Sequence, residues 1–293
     1  KIPILQQDGK LVEAKVGITL RHLLTHTAGF GYPNRTYKLS DKFDASEWKY
    51  EDFPRQFESG TEYLYGTNTD WAGKLVEKIS GMTLERYFKK KIFKPLGIKS
   101  TYFNVPKKEY KRIVSMGNRG ADGKGPLKEI DGDEVSPSRY PKEKLTTFSG
   151  GGGLFSTPSD FTKILQCVLN YGAYKDGRIL KKETVQLMMQ NHIGDISLNP
   201  EGWHYDPATC CNFNGLMDKD SKWGLATLID NTPESYGRKK GALVWGGYRN
   251  TYFYIDHKSG IAASIYSQHL PFNHPATVSL FEKFSQVFYK NFK

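Results

Sequence analysis

The chain has 293 residues, of which 38% are hydrophobic and 14% aromatic, so it can bury a sizeable core as one large domain or two small ones. Its 42 basic and 31 acidic residues give a formal net charge of +11, but the basic clusters are dispersed and no nucleic-acid-binding motif accompanies them, which argues against a nucleic-acid partner. No apolar run approaches the ~20 residues of a membrane span, so no membrane partner is expected.

Helical signals dominate the first two hundred residues. Apolar spacing, N-cap residues and terminating glycines or prolines predict five helices there, the second with an apolar face that includes Ile79. They run from Thr19 to Gly29, from near Thr69 to Gly81, from Thr83 to just before Pro95, from Thr157 through Leu169, and from Glu183 to Gln190. Between the third and fourth lies the polar, Pro- and Gly-punctuated stretch 104–148, which is predicted to be mostly loop or lid.

From about Trp223 the sequence changes to β-branched and aromatic runs separated by Gly and Asp turns. Four strands are predicted, over 223–229, 242–245, 251–255 and 261–266. A terminal amphipathic helix is predicted over 278–288. Helices followed by an antiparallel sheet and a last helix indicate an α+β fold. We therefore expect a mainly helical subdomain over 1–200, with a lid-like loop near 104–148, and a subdomain with the sheet and the C-terminal helix over 201–293.

The three cysteines, Cys167, Cys210 and Cys211, allow at most one internal pair. Such sparse usage fits a reducing compartment better than a disulfide scaffold, which favours a cytoplasmic location. The adjacent pair lacks Cys-x-x-Cys spacing, and no third ligand accompanies His22 and His26, for which helix packing or capping is expected. The sequence therefore predicts neither a metal site nor a cofactor.

Three segments carry the strongest functional signal through their order. They are Leu20-Arg21-His22-Leu23-Leu24-Thr25-His26-Thr27-Ala28-Gly29, then Tyr65-Gly66-Thr67, then Trp245-Gly246-Gly247. With further matches at 75–83, 92–98, 150–157 and 191–195, the chain resembles the serine beta-lactamase and penicillin-binding-protein-like superfamily. Within it the chain is most similar to family VIII carboxylesterases and fungal lovastatin-type acyltransferases. The resemblance implies a beta-lactamase/transpeptidase-like fold.

The resemblance also implies a nucleophilic serine in a Ser-x-x-Lys motif, at the start of a buried helix upstream of the Thr19 helix. Only eighteen residues precede Thr19, and the one match to the motif's spacing is Ser46-Glu47-Trp48-Lys49. Its charged composition suits a loop better than an apolar helix that places Ser and Lys one turn apart. We therefore expect the N-terminal strands and the nucleophile helix on a segment outside these residues, which would be a partner of this chain.

Tyr65 is the residue to which the resemblance assigns a role in taking the serine proton. A tyrosine can do this only if adjacent positive charge lowers its pKa from ~10. Tyr63 is the alternative if the register is shifted. Thr67 replaces the Asn that is usual in lactamases and peptidases, which argues against a true beta-lactamase, and Asn68 would take that place only after a one-residue shift.

Trp245, Gly246 and Gly247 occupy, by the same resemblance, the place of the Lys-Thr-Gly motif on a strand that lines the cleft. The glycines would let a substrate approach the strand, and an N–H of Gly247 or Tyr248 would bind its carbonyl oxygen. Trp in place of Lys removes a cation that would hold a beta-lactam carboxylate. A small neutral ester or thioester is the expected substrate. The run 150–153 lacks a phosphate-loop ending and would form a turn at the cleft wall.

Three functions remain open from the sequence. The first is a carboxylesterase or related serine hydrolase that works through an acyl-enzyme. The second is an acyltransferase that passes the same acyl group to an alcohol or amine, and the motifs do not separate these two because they differ in water exclusion and acceptor pocket. The third is a non-catalytic homologue or fragment that acts by binding.

Overall fold

The fold is taken from a computed structural model, which describes residues 2–6, 8–32, 48–120, 124–130, 144–198, 209–232 and 235–291. Within these ranges the α-helices are α1 (Leu20–Leu24), α2 (Asn68–Ser80), α3 (Leu84–Phe88), α4 (Pro158–Leu169), α5 (Lys182–Met188) and α6 (Pro275–Asn291). The strands are β1 (Ile4–Leu5), β2 (Leu11–Val12), β3 (Gly117–Asn118), β4 (Lys128–Glu129), β5 (Ala173–Tyr174), β6 (Gly177–Arg178), β7 (Lys222–Trp223), β8 (Leu228–Asp230), β9 (Ala242–Gly247), β10 (Thr251–Asp256), β11 (Ile261–Ile265) and β12 (His269–Leu270). None of the described helices is long and apolar enough to cross a membrane.

A five-stranded antiparallel sheet near the C-terminus organises the fold, with the strand order β11-β10-β9-β8-β7. Side chains alternate between its two faces. Leu243 and Ile255 pack with Leu165 of α4 on one face. Tyr254 belongs to the main core on the other face, together with Phe281 of α6. The predicted α+β arrangement is confirmed, with a helix on each side of the sheet.

The predicted helices are confirmed, but the first is shorter than expected. Thr19 caps α1 as predicted, since its hydroxyl accepts the His22 N–H at 3.2 Å. The predicted end at Gly29 is wrong. Thr25 already ends the helix, and His26 adopts a φ of 54°, which a right-handed helix does not contain. The residues after α1 therefore form an irregular loop.

The segment 223–229 forms a hairpin, so the prediction of a single strand there is wrong. The Gly224 N–H donates to the Thr227 carbonyl at 2.8 Å and closes the turn between β7 and β8. The turn residue Ala226 has a φ of 70°, a left-handed conformation that is common for glycine but rare for alanine. Its N–H donates to the Leu24 carbonyl at 2.9 Å. The hairpin thus brings the sheet to the end of α1.

Helix α2 packs through Trp71 and Val76 of the expected apolar face and also through small and polar residues. Ile79 is 83% exposed, so its assignment to a buried face is wrong. Gly73 faces Gly150 so closely that a Cβ on Gly73 would lie 2.9 Å from the Gly150 Cα. The Asp70 carboxylate accepts the Gly151 N–H at 3.2 Å. The glycine run therefore serves as a flat surface on which α2 packs.

The stretch 104–148 is not a loop throughout. It contains the 3₁₀ helix Lys107–Arg112 and the paired strands β3 and β4, and β3 adds β12 as a parallel neighbour. Residues 121–123 and 131–143 lie outside the described part. The lid assignment and the subdomain boundary at residue 200 both remain predictions, and α4 packs on the sheet although it precedes that boundary.

Candidate active site

Tyr65 lies on the segment that leads into α2, and backbone hydrogen bonds hold this segment on both sides. The Leu64 N–H donates to the His26 carbonyl at 2.8 Å. The Asn68 amide donates to the Leu64 carbonyl at 3.2 Å and to the Phe30 carbonyl at 2.8 Å. Asn68 is therefore engaged as a backbone anchor, and Tyr65 is fixed between the loop after α1 and the start of α2.

Trp245 reaches Tyr65 across 180 residues of sequence. Its indole Nε1–H donates to the Tyr65 hydroxyl oxygen at 3.1 Å, and the two ring centroids lie 4.9 Å apart. Trp245 is 9% exposed, and it is flanked by Trp223 at a centroid distance of 4.6 Å. Two of the three sequence segments thus meet at one hydrogen bond inside an aromatic cluster.

His26, from the remaining segment, completes this cluster. Its ring centroid lies 4.2 Å from that of Tyr65 and 5.2 Å from that of Trp223, and the residue is 1% exposed. Burial lowers the pKa of His26 to about 3, so the imidazole is neutral. Its Nδ1 is buried with no hydrogen-bond partner among the described residues. The sequence reading, which expected helix packing or capping here, missed this stacking because nothing local marks it.

Burial raises the pKa of Tyr65 above its ordinary value, although hydrogen bonds from Trp245 and Tyr32 act in the lowering direction. The Asp70 carboxylate raises the pKa of Tyr65 further. A tyrosine whose pKa is raised in this way is protonated at neutral pH.

Beyond Trp245, strand β9 runs past its neighbour β8, because the β8 register ends at Val244. The Gly247 carbonyl accepts the Asn250 N–H at 2.9 Å and closes a tight turn into β10. The Gly247 carbonyl points toward β10, so the Tyr248 N–H, on the opposite side of the same planar peptide, points away from β10. It therefore lies on the edge of β9 that faces β8, beyond the last β8 partner, Val244.

The glycines of this motif are explained by contacts within the hairpin. A Cβ on Gly246 would lie 2.9 Å from Tyr252 Cδ1, and one on Gly247 would collide with the Thr251 hydroxyl. Both positions thus exclude larger residues even before a substrate is considered.

Other candidates from the sequence lie at varied distances from this cluster. Tyr63 is in it, with its ring centroid 5.4 Å from that of Trp223. Thr67 is buried, and its hydroxyl donates to the Gly31 carbonyl at 3.4 Å. Ser46 lies outside the described residues, and Lys49 is exposed at the start of the 3₁₀ helix Tyr50–Asp52.

The residues considered as ligands have other surroundings. His22 accepts the Thr19 N–H at 3.3 Å and so takes part in capping, as predicted. Cys167, Cys210 and Cys211 form no disulfide with one another. Across the described ranges, no group of three or more His, Cys, Asp and Glu side chains is placed to hold a metal ion.

Replacing His26 with Phe is expected to flatten the acid dependence of stability. Because the folded pKa of about 3 lies below the unfolded value of 6.5, the unfolded chain binds the extra proton between them. The stabilisation from the neutral ring is therefore complete above pH 6.5 and is lost as the pH falls toward 3. Urea unfolding at pH 6 and pH 4 should show that wild type loses about 2 kcal/mol more than H26F, and equal losses would contradict this account.

Comparison with known proteins gives a family. The sequence profile of the Beta-lactamase family matches residues 7–285. The monacolin J acid methylbutanoyltransferase of Aspergillus terreus is 31% identical over 98% of this chain and 70% of its own length. The lovastatin esterase of Penicillium rubens is 30% identical over 83% of this chain and 62% of its own length.

A solved structure agrees with these sequence matches. Unliganded simvastatin synthase from Aspergillus terreus superposes with a TM-score of 0.78 at 28% identity, covering 99% of this chain and 74% of that one. The predicted beta-lactamase/transpeptidase-like fold is confirmed. An acyltransferase and an esterase thus share the fold and the sequence pattern of this chain.

Proposed function

Because the chain belongs to the Beta-lactamase family, we propose that it carries most of the active site of a serine hydrolase that cleaves neutral carboxylic esters or thioesters through an acyl-enzyme. The observation that carries the proposal is the hydrogen bond from Trp245 to the Tyr65 hydroxyl at 3.1 Å. It joins the expected proton acceptor to the strand that would bind the acyl carbonyl. An indole at position 245 also offers no charge to a substrate carboxylate.

The nucleophile and its lysine belong, in this proposal, to a Ser-x-x-Lys segment outside the 293 residues. Within them only Ser46 has the required spacing to a lysine. The raised pKa of Tyr65 supports the same idea, because a tyrosine with a raised pKa is a poor base at neutral pH. A lysine placed beside the hydroxyl would lower that pKa and make Tyr65 competent.

The chemical steps follow from these positions. Tyr65 takes the proton of the serine hydroxyl while the serine oxygen attacks the carbonyl carbon. The carbonyl oxygen becomes an oxyanion, which the Tyr248 N–H stabilises from the edge of β9 that faces β8. The tetrahedral intermediate collapses, and the departing alkoxide or thiolate receives the proton from Tyr65. Water then attacks the acyl-serine and releases the carboxylic acid by the same steps.

Acyl transfer to an alcohol or amine is the second candidate, and the transferase among the relatives favours it. It uses the same acyl-enzyme and differs only in what attacks it. Adding an alcohol acceptor to an ester hydrolysis assay separates the two, because a transferase diverts acyl groups from the acid to a new ester. The sparse cysteine usage, three in 293 residues, favours a reducing, cytoplasmic setting for either reaction.

The experiment is intact mass of the natural protein before and after reaction with a fluorophosphonate, with p-nitrophenyl butyrate turnover measured on the same sample. One added label together with turnover is expected. A mass that equals these 293 residues, with neither label nor turnover, would overturn the proposal and favour a protein that acts by binding.

Replacing Trp245 with Phe is expected to shift the pH dependence of turnover. The indole hydrogen bond lowers the pKa of Tyr65, so its loss raises that pKa. Because Tyr65 acts in its deprotonated form, the rising limb of kcat/KM should move to higher pH by about one unit or less, and the rate at pH 7 should fall up to about tenfold.

Trp71 offers the matched control, because its buried Nε1 has no hydrogen-bond partner among the described residues and stacks on Phe30 instead. In W71F the rising limb of the pH dependence of kcat/KM should stay at the wild-type pH. An unshifted limb in W245F, or an equal shift in both variants, would show that the indole hydrogen bond does not tune Tyr65.

A further inference from the structure

The turn between β9 and β10 ends at an unusual residue. Asn250 is fully buried and has a φ of 63°, a left-handed conformation that Asn tolerates better than other non-glycine residues. Its N–H closes the turn by donating to the Gly247 carbonyl at 2.9 Å. Tyr248 is therefore held between two glycines on one side and a buried, hydrogen-bonded residue on the other.

The Asn250 side chain uses all four of its hydrogen-bonding positions. Its amide nitrogen donates to the His269 carbonyl at 2.9 Å and to the Pro271 carbonyl at 2.7 Å. Its amide oxygen accepts from the Tyr252 hydroxyl at 2.8 Å and from the His274 N–H at 3.2 Å. Glycine would satisfy the backbone conformation but none of these contacts.

The backbone of the turn is tied to the same segment. The His269 N–H donates to the Arg249 carbonyl at 3.3 Å. The Ser267 hydroxyl donates to the Asn250 carbonyl at 2.6 Å. The His269 ring in turn makes a 2.8 Å hydrogen bond with the Thr277 hydroxyl in the first turn of α6. The turn is thus connected through buried polar groups to segment 267–277.

From this arrangement we propose that Asn250 is a positioning residue, which fixes the turn so that the Tyr248 N–H points at the developing oxyanion. The inference rests on the proposed function. Asn250 touches no substrate and acts only through the turn. Small displacements of an oxyanion donor are costly, since an error of about 1 Å at a catalytic group can lower a rate 10²-fold.

The test compares Asn250→Gly with Asn273→Gly in the natural protein. Gly permits the left-handed backbone at both positions, so each variant loses only side-chain hydrogen bonds. Asn273 is the comparison residue, because it is also buried with a φ of 56° but its amide donates to the Asn212 and Asn214 carbonyls and not to those of His269 and Pro271. It accepts from the Tyr252 hydroxyl at 3.4 Å, against 2.8 Å for Asn250.

For N250G we expect kcat for p-nitrophenyl butyrate and the fluorophosphonate inactivation rate each to fall about 10- to 100-fold, with KM changed less than threefold. N273G should lose comparable thermal stability but keep kcat within threefold. Equal kcat in N250G and wild type would overturn the inference. If wild type itself shows neither label nor turnover, the proposed function fails instead.

Ser267→Ala provides a test that does not endanger folding. It removes one hydroxyl that holds the turn's carbonyls and leaves the Asn250 side chain in place. A fall in kcat of about threefold at unchanged KM and melting temperature supports the inference. An unchanged kcat in S267A, where N250G cannot be purified folded, would overturn it.

Discussion

Replacing Tyr65 with Phe is expected to lower kcat/KM for p-nitrophenyl butyrate by about 10²- to 10⁴-fold, the usual contribution of a positioned general base. The variant keeps the ring that stacks on His26 at 4.2 Å and on Trp245 at 4.9 Å, so the aromatic cluster should stay intact. Only the hydroxyl is lost, and with it the acceptor for the indole N–H. Steady-state kinetics and the rate of fluorophosphonate labelling both report this change.

Tyr63→Phe is the control, because Tyr63 lies in the same cluster, 6.0 Å from His26 between ring centroids. It should retain activity within about threefold. The melting temperature of Y65F should fall only slightly, since one hydrogen bond contributes about 1 kcal/mol. An active Y65F together with an inactive Y63F would show that Tyr63, two residues earlier, is the catalytic tyrosine.

Arg238→Met is expected to destabilise the protein by about 3–5 kcal/mol, because it leaves a buried carboxylate without its cation. Arg238 is 4% exposed, and its guanidinium lies 3.1 Å and 3.3 Å from one Asp230 oxygen and 3.2 Å from the Ser285 hydroxyl. It also lies 5.3 Å from the centroid of the Phe281 ring. This group therefore connects β8 to α6, and urea unfolding measures its contribution.

Two further variants separate the ion pair from the loss of packing. The double variant D230L/R238M should be less destabilised than the sum of the single variants, because it removes both charges at once. Arg112→Met removes a pair with Glu109 whose arginine side chain is 56% exposed, and it should destabilise the protein far less than R238M because solvent screens the pair. Equal losses in R112M and R238M would contradict the role given to burial.

Most helices and strands could be predicted from the sequence because their ends depend on local signals. The N-cap at Thr19 and the left-handed C-cap at Gly81 are chosen by a few neighbouring residues. The β7–β8 hairpin was missed because its left-handed residue is Ala226, which carries no turn signal of its own. Tertiary hydrogen bonds, such as that to the Leu24 carbonyl, hold it there.

Only the residues of the candidate site that belong to recognisable motifs could be predicted from the sequence. The family resemblance identified Tyr65 and Trp245 as site residues. It could not predict the hydrogen bond between them, because that bond depends on tertiary packing. Asn250 gave no comparable signal, and His26 was expected only to pack or cap a helix although it lies in the first motif segment. Their significance arises from burial and from partners that lie elsewhere in the sequence.

The separation between Tyr65 and Trp245 also determines when the site can exist during synthesis. Tyr65 leaves the ribosome 180 residues before its indole partner, and the Leu24 carbonyl leaves 199 residues before the Trp223 indole that binds it. At about 5–20 residues per second, the first delay is roughly 10–40 s. During that time the helices can form, but Tyr65 lacks strand β9, which carries its hydrogen-bond donor Trp245. The nascent chain is therefore not expected to act on esters before Trp245 has emerged and β9 has formed.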